Sequence, residues 1–162
     1  MSELFDIACN FSSNRYDNDL HEVIKNAKNN NVTKFLVVSA SINDVDKIYS
    51  IYQKYKSDCF FTIGTHPHHA NEINSDSIKK MRILVQDLKP SSIGETGLDF
   101  FRNLSTLEEQ IFAFEEQIKL SIEFNKPLFL HQRDAHNEFI KIIMKYKNDI
   151  NKAVVHCFTG TQ

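Results

Sequence analysis

The stretch Leu128-Phe129-Leu130-His131-Gln132-Arg133-Asp134 makes two demands on any fold that holds it. Its first three residues are apolar at consecutive positions rather than alternating ones. A strand of this kind is covered on both faces, which is the habit of parallel sheets. The run then turns polar at once, with an imidazole where the strand should end. Parallel sheets and barrels collect their chemistry at that carboxyl edge.

The same grammar recurs along the chain. Strand candidates fall at residues 4–9, 34–40, 59–65, 92–95, 128–131 and 153–158. Between them lie apolar stripes with i, i+3, i+4, i+7 spacing, which predicts amphipathic helices. Leu20, Val23, Ile24 and Ala27 form the first stripe, and Val45, Ile48, Tyr52 and Tyr55 the second. Ile78, Met81, Val85 and Leu88 form the third, in a helix that Pro90 would stop. The longest helix is expected over residues 105–124, with Leu107, Ile111, Phe114, Ile118 and Ile122 on one face. Ser105-Thr106-Leu107-Glu108 reads as its capping box. A last helix over 135–146 carries Phe139, Ile140, Ile143 and Met144. Repeated β-α units give a doubly wound sheet or a barrel, in one domain spanning 1–162.

Composition excludes several classes. Apolar residues make up 41% and charged residues 25%, ordinary for a globular protein. A net charge of −2 rules out a nucleic-acid binder that works by bulk positive charge. No apolar run reaches the roughly 18 residues of a membrane span. The opening residues carry acids where a secretory signal would carry bases, so no signal is expected. The three cysteines, Cys9, Cys59 and Cys157, form no C-x-x-C pair. Neither a disulfide framework nor a thiolate zinc site is expected, and the compartment is read as reducing, the cytoplasm by default. Cys9 is expected to be a buried thiol, and the pleat should turn Cys157 away from its neighbour His156.

The unusual residues cluster at strand ends. Gly64, Gly94, Gly97 and Gly160 all fall there. Six of the seven histidines lie in or near Thr65-His66-Pro67-His68-His69, His131 to His136, and His156 to Gly160. Ile93-Gly94-Glu95-Thr96-Gly97-Leu98-Asp99 adds two acids, and Arg102 follows. Strands 3 to 6 would aim His66, Glu95, His131 and His156 at one mouth. Imidazoles with a carboxylate suit Zn²⁺, Mn²⁺ or Fe²⁺, or Mg²⁺ with more waters. Glu95 could bridge two such ions about 3.5–4 Å apart.

Each residue also has a plainer reading. An ionised Glu95 in an apolar strand is costly unless paired or metal-bound, so the alternative is a buried ion pair. A lone buried histidine is usually a hydrogen-bonded core residue. His131 and His156 in equivalent positions beside Glu95 argue otherwise. His66 and His68 flank a stiff proline and could meet metal, phosphate or solvent. His21, His69 and His136 are read as incidental. Asp99 and Arg102 are expected in a loop, either as an ion pair or with Arg102 clamping a phosphate. Arg133 and Asp134 are read the same way.

The motifs together resemble a known family. Gly64 to His68, Ile93 to Phe100, Leu130 to Ala135 and His156 to Gly160 are similar to the TatD family of metal-dependent deoxyribonucleases, as is the opening Phe5 to Ser13. The resemblance implies a TIM-type (β/α) barrel of the metal-dependent hydrolase kind. It implies that Glu95, His131 and His156 bind metal, with Glu95 also catalytic, and that His66 and His68 line the substrate side. Members with H-x-H at the end of strand 1 differ from this chain, which reads Ala8-Cys9-Asn10 there. A barrel of this class needs roughly 250 residues. The chain is therefore expected to be truncated after strand 6, without the family's late metal-binding aspartate. Strands 1 and 6 would then be open edges that invite self-association.

The expectation is a metal-dependent deoxyribonuclease acting at DNA ends. Mg²⁺ is the first choice of divalent ion, Zn²⁺ or Mn²⁺ the alternatives, with one or two per site. Arg102 would join His66 and His68 on the phosphate. A small-molecule hydrolase and a non-catalytic remnant are the competing readings.

Overall fold

A computed structural model gives the structure of the chain and describes residues 2–156 and 158. Six strands appear in it: β1 (Leu4–Cys9), β2 (Val32–Val37), β3 (Cys59–Ile63), β4 (Ser92–Asp99), β5 (Leu128–Arg133) and β6 (Ala153–His156). The helices between them are α1 (Leu20–Asn29), α2 (Val45–Lys54), α3 (Ser75–Leu88), α4 (Leu107–Glu123) and α5 (His136–Tyr146). All strand pairs are parallel and the order is that of the sequence, β1 to β6. The sheet curls into a half-barrel with the helices on its outer face.

The apolar runs form the central strands because both of their faces are covered. β4 is buried at all eight positions, whereas β1 is exposed at its first four. Phe35, Phe61, Phe114, Ile48, Met81 and Ile118 fill the layer between sheet and helices. Burying each such side chain contributes about 1.5–3 kcal/mol. The outer strands leave Leu4, Phe5, Ile7 and Val154 exposed. Among the described residues no helix is long and apolar enough to cross a membrane.

The structure moves several sequence-based boundaries. β2 runs from Val32 to Val37, not 34–40. β4 extends four residues beyond Glu95, because Gly97, Leu98 and Asp99 pair with His131, Gln132 and Arg133 of β5. Asp99 is therefore the last residue of a strand and not part of a loop. The capping box of α4 sits one residue later than expected, with Thr106 and Glu109 as its partners. On α5, Phe139 and Ile142 are buried, while Ile140 and Met144 face solvent. Short 3₁₀ turns at Asn14–Tyr16, Ile42–Asp44 and Pro67–Glu72 join the elements. Cys157 and Gly160 lie outside the described residues, and Phe158, expected at the end of the last strand, lies in no strand.

Cys9 and Cys59 are free and buried. Burial and the neighbouring Asp6 push the Cys9 thiol far up, and burial pushes Cys59 up to about 11. Both remain thiols at neutral pH, so neither is a nucleophile.

Candidate metal centre

Four strand ends bring their side chains to one mouth. His66 follows β3, Glu95 stands in β4, His131 in β5 and His156 ends β6. Their backbones are tied together: the His66 amide donates to Ala40 O at 2.9 Å and the Glu95 amide to Ser39 O at 3.0 Å. On either side of Glu95 the chain needs glycine. Gly94 and Gly97 both have φ +142°, and a Cβ on Gly97 would stand 2.0 Å from the carbonyl oxygen of His131. The glycines let β4 approach β5 closely, and the carboxylate is delivered between the histidines.

Three ring nitrogens converge on one carboxylate oxygen. Glu95 Oε1 is 3.1 Å from His131 Nδ1 and 3.5 Å from His66 Nε2, and His156 Nε2 is in direct hydrogen-bond contact with it. Burial works to raise the Glu95 carboxyl, but hydrogen bonds from His131 and His156, aided by the His66 ring, hold it down at about 2. It is a carboxylate at neutral pH. One oxygen has two lone pairs and cannot serve three donors equally. A cation held by His131 Nδ1, His156 Nε2 and the oxygen relieves this crowding and leaves His66 as the one donor facing the carboxylate, so these residues fit a divalent ion. The ligand atoms of His66, Glu95 and His131 lie within 4.8 Å of one another.

His66 differs from the other two histidines. Its Nδ1 accepts the amide hydrogen of His68 at 3.1 Å, as the N-cap of the Pro67–Glu72 turn. Burial pulls its imidazole down to about 3, against the attraction of Glu95. A neutral ring that accepts through Nδ1 carries its hydrogen on Nε2. His66 therefore presents a donor to the mouth, not a lone pair. Among the described residues, His131 and His156 have no such backbone bond at the nitrogen facing Glu95.

The mouth is a cavity of about 340 Å³ lined also by Asn10, Ala40, His68, Asp99, Arg102 and Arg133. Arg102 stands at its rim, and its backbone amide donates to Asp99 Oδ1 at 2.9 Å. The Arg102–Asp99 ion pair, the plainer of the two sequence readings, is not formed. Instead Asp99 Oδ2 meets His68 Nε2 at 2.7 Å and His131 Nε2 at 3.3 Å. Burial works to raise the Asp99 carboxyl, but the Arg102 amide and His68 keep it below the ordinary range. Arg133 lies over the ring of Phe101, 3.9 Å from its centroid. His69 also lines the cavity but pairs with Glu72, while His21 stacks on Tyr55 and His136 meets Phe158 edge-on.

Sequence reasoning missed two glutamines. Gln110 and Gln117 lie on the buried face of α4, 1% and 0% exposed. Gln117 accepts from the Thr65 amide at 2.7 Å and donates to the Thr65 carbonyl at 3.0 Å. Gln110 accepts from the Asp99 amide at 2.9 Å and donates to the Asp99 carbonyl at 3.2 Å. One helix thus clamps the residue before His66 and the end of β4. Their spacing of seven puts them on the stripe of Phe114 and Ile118, and polar residues on a core stripe are the signal that could have found them. Gln117→Leu leaves two buried backbone groups unpaired, so we expect a loss of about 2–6 kcal/mol, at about 1–3 kcal/mol per group. A urea unfolding curve measures this, and a loss below about 1 kcal/mol, the range of ordinary surface changes, counts against the clamp.

Comparison with known proteins agrees with the fold. The family model described as TatD related DNase matches residues 5–162. The chain is 36% identical over 159 residues to the 3'-5' ssDNA/RNA exonuclease TatD of Erwinia billingiae, covering 98% of this chain and 61% of the relative. With the protein of the same name from Cronobacter sakazakii it is 39% identical, covering 98% and 60%. The crystal structure of a hydrolase TatD family protein from Entamoeba histolytica superposes with a TM-score of 0.89 at 27% identity, covering 99% of this chain and 60% of that one. A TatD homologue from Escherichia coli has the same fold, with a TM-score of 0.86 at 24% identity. The chain thus spans about three fifths of the length of the relatives it matches. With its glycine-flanked glutamate, its converging histidines and a family match across nearly its whole length, the chain belongs to the TatD-related DNase family.

Proposed function

We propose that this chain carries the cation-binding half of a phosphodiesterase that removes nucleotides from the ends of single-stranded DNA. The observation that carries the reading is the convergence of His131 Nδ1 and His156 Nε2 on Glu95 Oε1. The relatives named as 3'-5' ssDNA/RNA exonucleases support the substrate class.

Glu95, His131 and His156 would hold a divalent ion, Mg²⁺ first, with Mn²⁺ or Zn²⁺ as alternatives. When bound, the ion supplies Lewis acidity at the phosphoryl group and lowers the pKa of water. The residues of the chain do the rest. Glu95 remains ionised and would offset part of the ion's charge. His66 offers Nε2–H to a phosphate oxygen from a ring whose tautomer is already set. Arg102 and Arg133, at the rim, bring positive charge where the next phosphates would pass, with the planar donor geometry that suits them. His68 lines the same side.

Turnover on 5'-labelled single-stranded DNA, with Mg²⁺ or Mn²⁺ and then with excess chelator, tests the reading. We expect stepwise shortening that stops on chelation and resumes when the ion is restored. Shortening that persists under chelation, or none with either ion while lactones or amides are hydrolysed, would reject it.

A further inference from the structure

Asp99 has no place in the cation-binding set, yet it is the most enclosed acid near the mouth, its side chain 1% exposed. Taking an ionised carboxylate out of water is costly unless its oxygens are hydrogen-bonded. Here every contact is a donor. Oδ1 accepts the amides of Phe101 at 3.1 Å and Arg102 at 2.9 Å. Oδ2 faces His68 Nε2 at 2.7 Å and His131 Nε2 at 3.3 Å. Gln110 holds the backbone of Asp99 by both its amide and its carbonyl. No arginine or lysine side chain is paired with it among the described residues; its ion-pair partners are the two histidines.

We propose that Asp99 is a positioning residue that decides which nitrogen of His131 is free to bind the cation. The proposal rests on the reading of Glu95 and His131 as cation-holding residues. An ionised carboxylate only accepts hydrogen bonds, so it favours hydrogen on the nitrogens that face it. An uncharged imidazole carries one hydrogen, and His131 faces two carboxylates, Glu95 at Nδ1 and Asp99 at Nε2. By drawing that hydrogen to Nε2, Asp99 leaves Nδ1 to offer its lone pair when a cation stands between it and Glu95. Histidines that bind metals commonly give their other N–H to such a carboxylate, which sets tautomer and ring orientation together. The same oxygen takes His68, so one buried side chain orients a ring on the cation side and a ring on the substrate side.

Asp99→Asn separates this role from bulk. The asparagine oxygen must stay with the amides of Phe101 and Arg102, because an NH₂ there would face two donors. Its NH₂ then faces the histidines, which must accept through Nε2. His131 is driven to carry its hydrogen on Nδ1, in the direction the cation needs.

The test has two arms on the 162-residue chain and its Asp99→Asn variant, with thermal melts confirming that both are folded. Imidazole ¹⁵N–¹H spectra without metal report which His131 nitrogen carries hydrogen. We expect the Nε2–H signal in the wild type and its loss in the variant. Calorimetric titration with Mn²⁺ reports affinity, and we expect the variant to bind about 10–100-fold more weakly. Retention of Nε2–H in the variant, or Mn²⁺ affinity equal to that of a wild type that binds the ion, overturns the proposal. A wild type that binds no Mn²⁺ rejects the cation reading instead, and the spectra alone then decide the role of Asp99.

Discussion

Glu95→Ala is expected to abolish divalent-ion binding and to lower turnover on single-stranded DNA by about a thousandfold or more. Glu95 is the carboxylate on which His131 and His156 converge, with His66 at 3.5 Å. Without it, two imidazoles remain to hold a hard cation that prefers oxygen. A bound ion contributes several kcal/mol to the transition state, and about 4 kcal/mol corresponds to a thousandfold in rate. The melt of the variant should stay cooperative, because β4 is held by pairing with β5 and not by this side chain. Calorimetry with Mn²⁺ and steady-state turnover measure the two effects. A variant that binds Mn²⁺ as tightly as the wild type and keeps its turnover would remove Glu95 from the site.

Gly97→Ala is the change expected to cost most in stability. Its Cβ would stand 2.0 Å from the His131 carbonyl oxygen and 3.0 Å from the carbonyl carbon, both backbone atoms in the neighbouring strand. At φ +142° an alanine is strained even without a neighbour, by about 1–3 kcal/mol. The strands must also separate, which breaks the pairing that buries Thr96, Leu98 and His131. Together these place the loss at about 4 kcal/mol or more, in the range of severe single substitutions. For a chain of this size that corresponds to a fall in Tm of about 8–16 °C. A thermal melt followed by circular dichroism decides it. A Tm within about 3 °C of wild type would mean that β4 and β5 can part without penalty.

Much of the fold was legible because each element announces itself over several residues. The apolar runs around Phe35, Phe61 and Phe129 can only be strands covered twice, and the helical stripes of Ile48, Met81 and Ile118 match buried faces. The histidines were legible as a group because they follow such runs directly. What failed was local. Thr96-Gly97-Leu98-Asp99 reads as a turn, with its glycine and terminal acid, and becomes strand only because β5 pairs with it. Ile140 and Met144 look like core, but α5 turns Phe139 and Ile142 inward instead. The work of Asp99 depends on which of its oxygens meets which donor, and no spacing encodes that. Gln110 and Gln117 resemble ordinary surface glutamines until their neighbours on the stripe are counted.

Gln110 does more than secure the end of β4. The same amide nitrogen donates to the carbonyls of Asp99 and of Ser105, at 3.2 and 2.9 Å. Residues 100–104, Arg102 among them, therefore leave and return to a single side chain. A loop anchored this way behaves as an exchangeable cassette. Lengthening it adds closure entropy of only about 0.6 kcal/mol for each doubling, and Asp99 stays where Gln110 puts it. The rim that greets a substrate can be rewritten while the histidines and the glutamate keep their places. One amide thus uncouples the choice of what enters the mouth from the machinery beneath it.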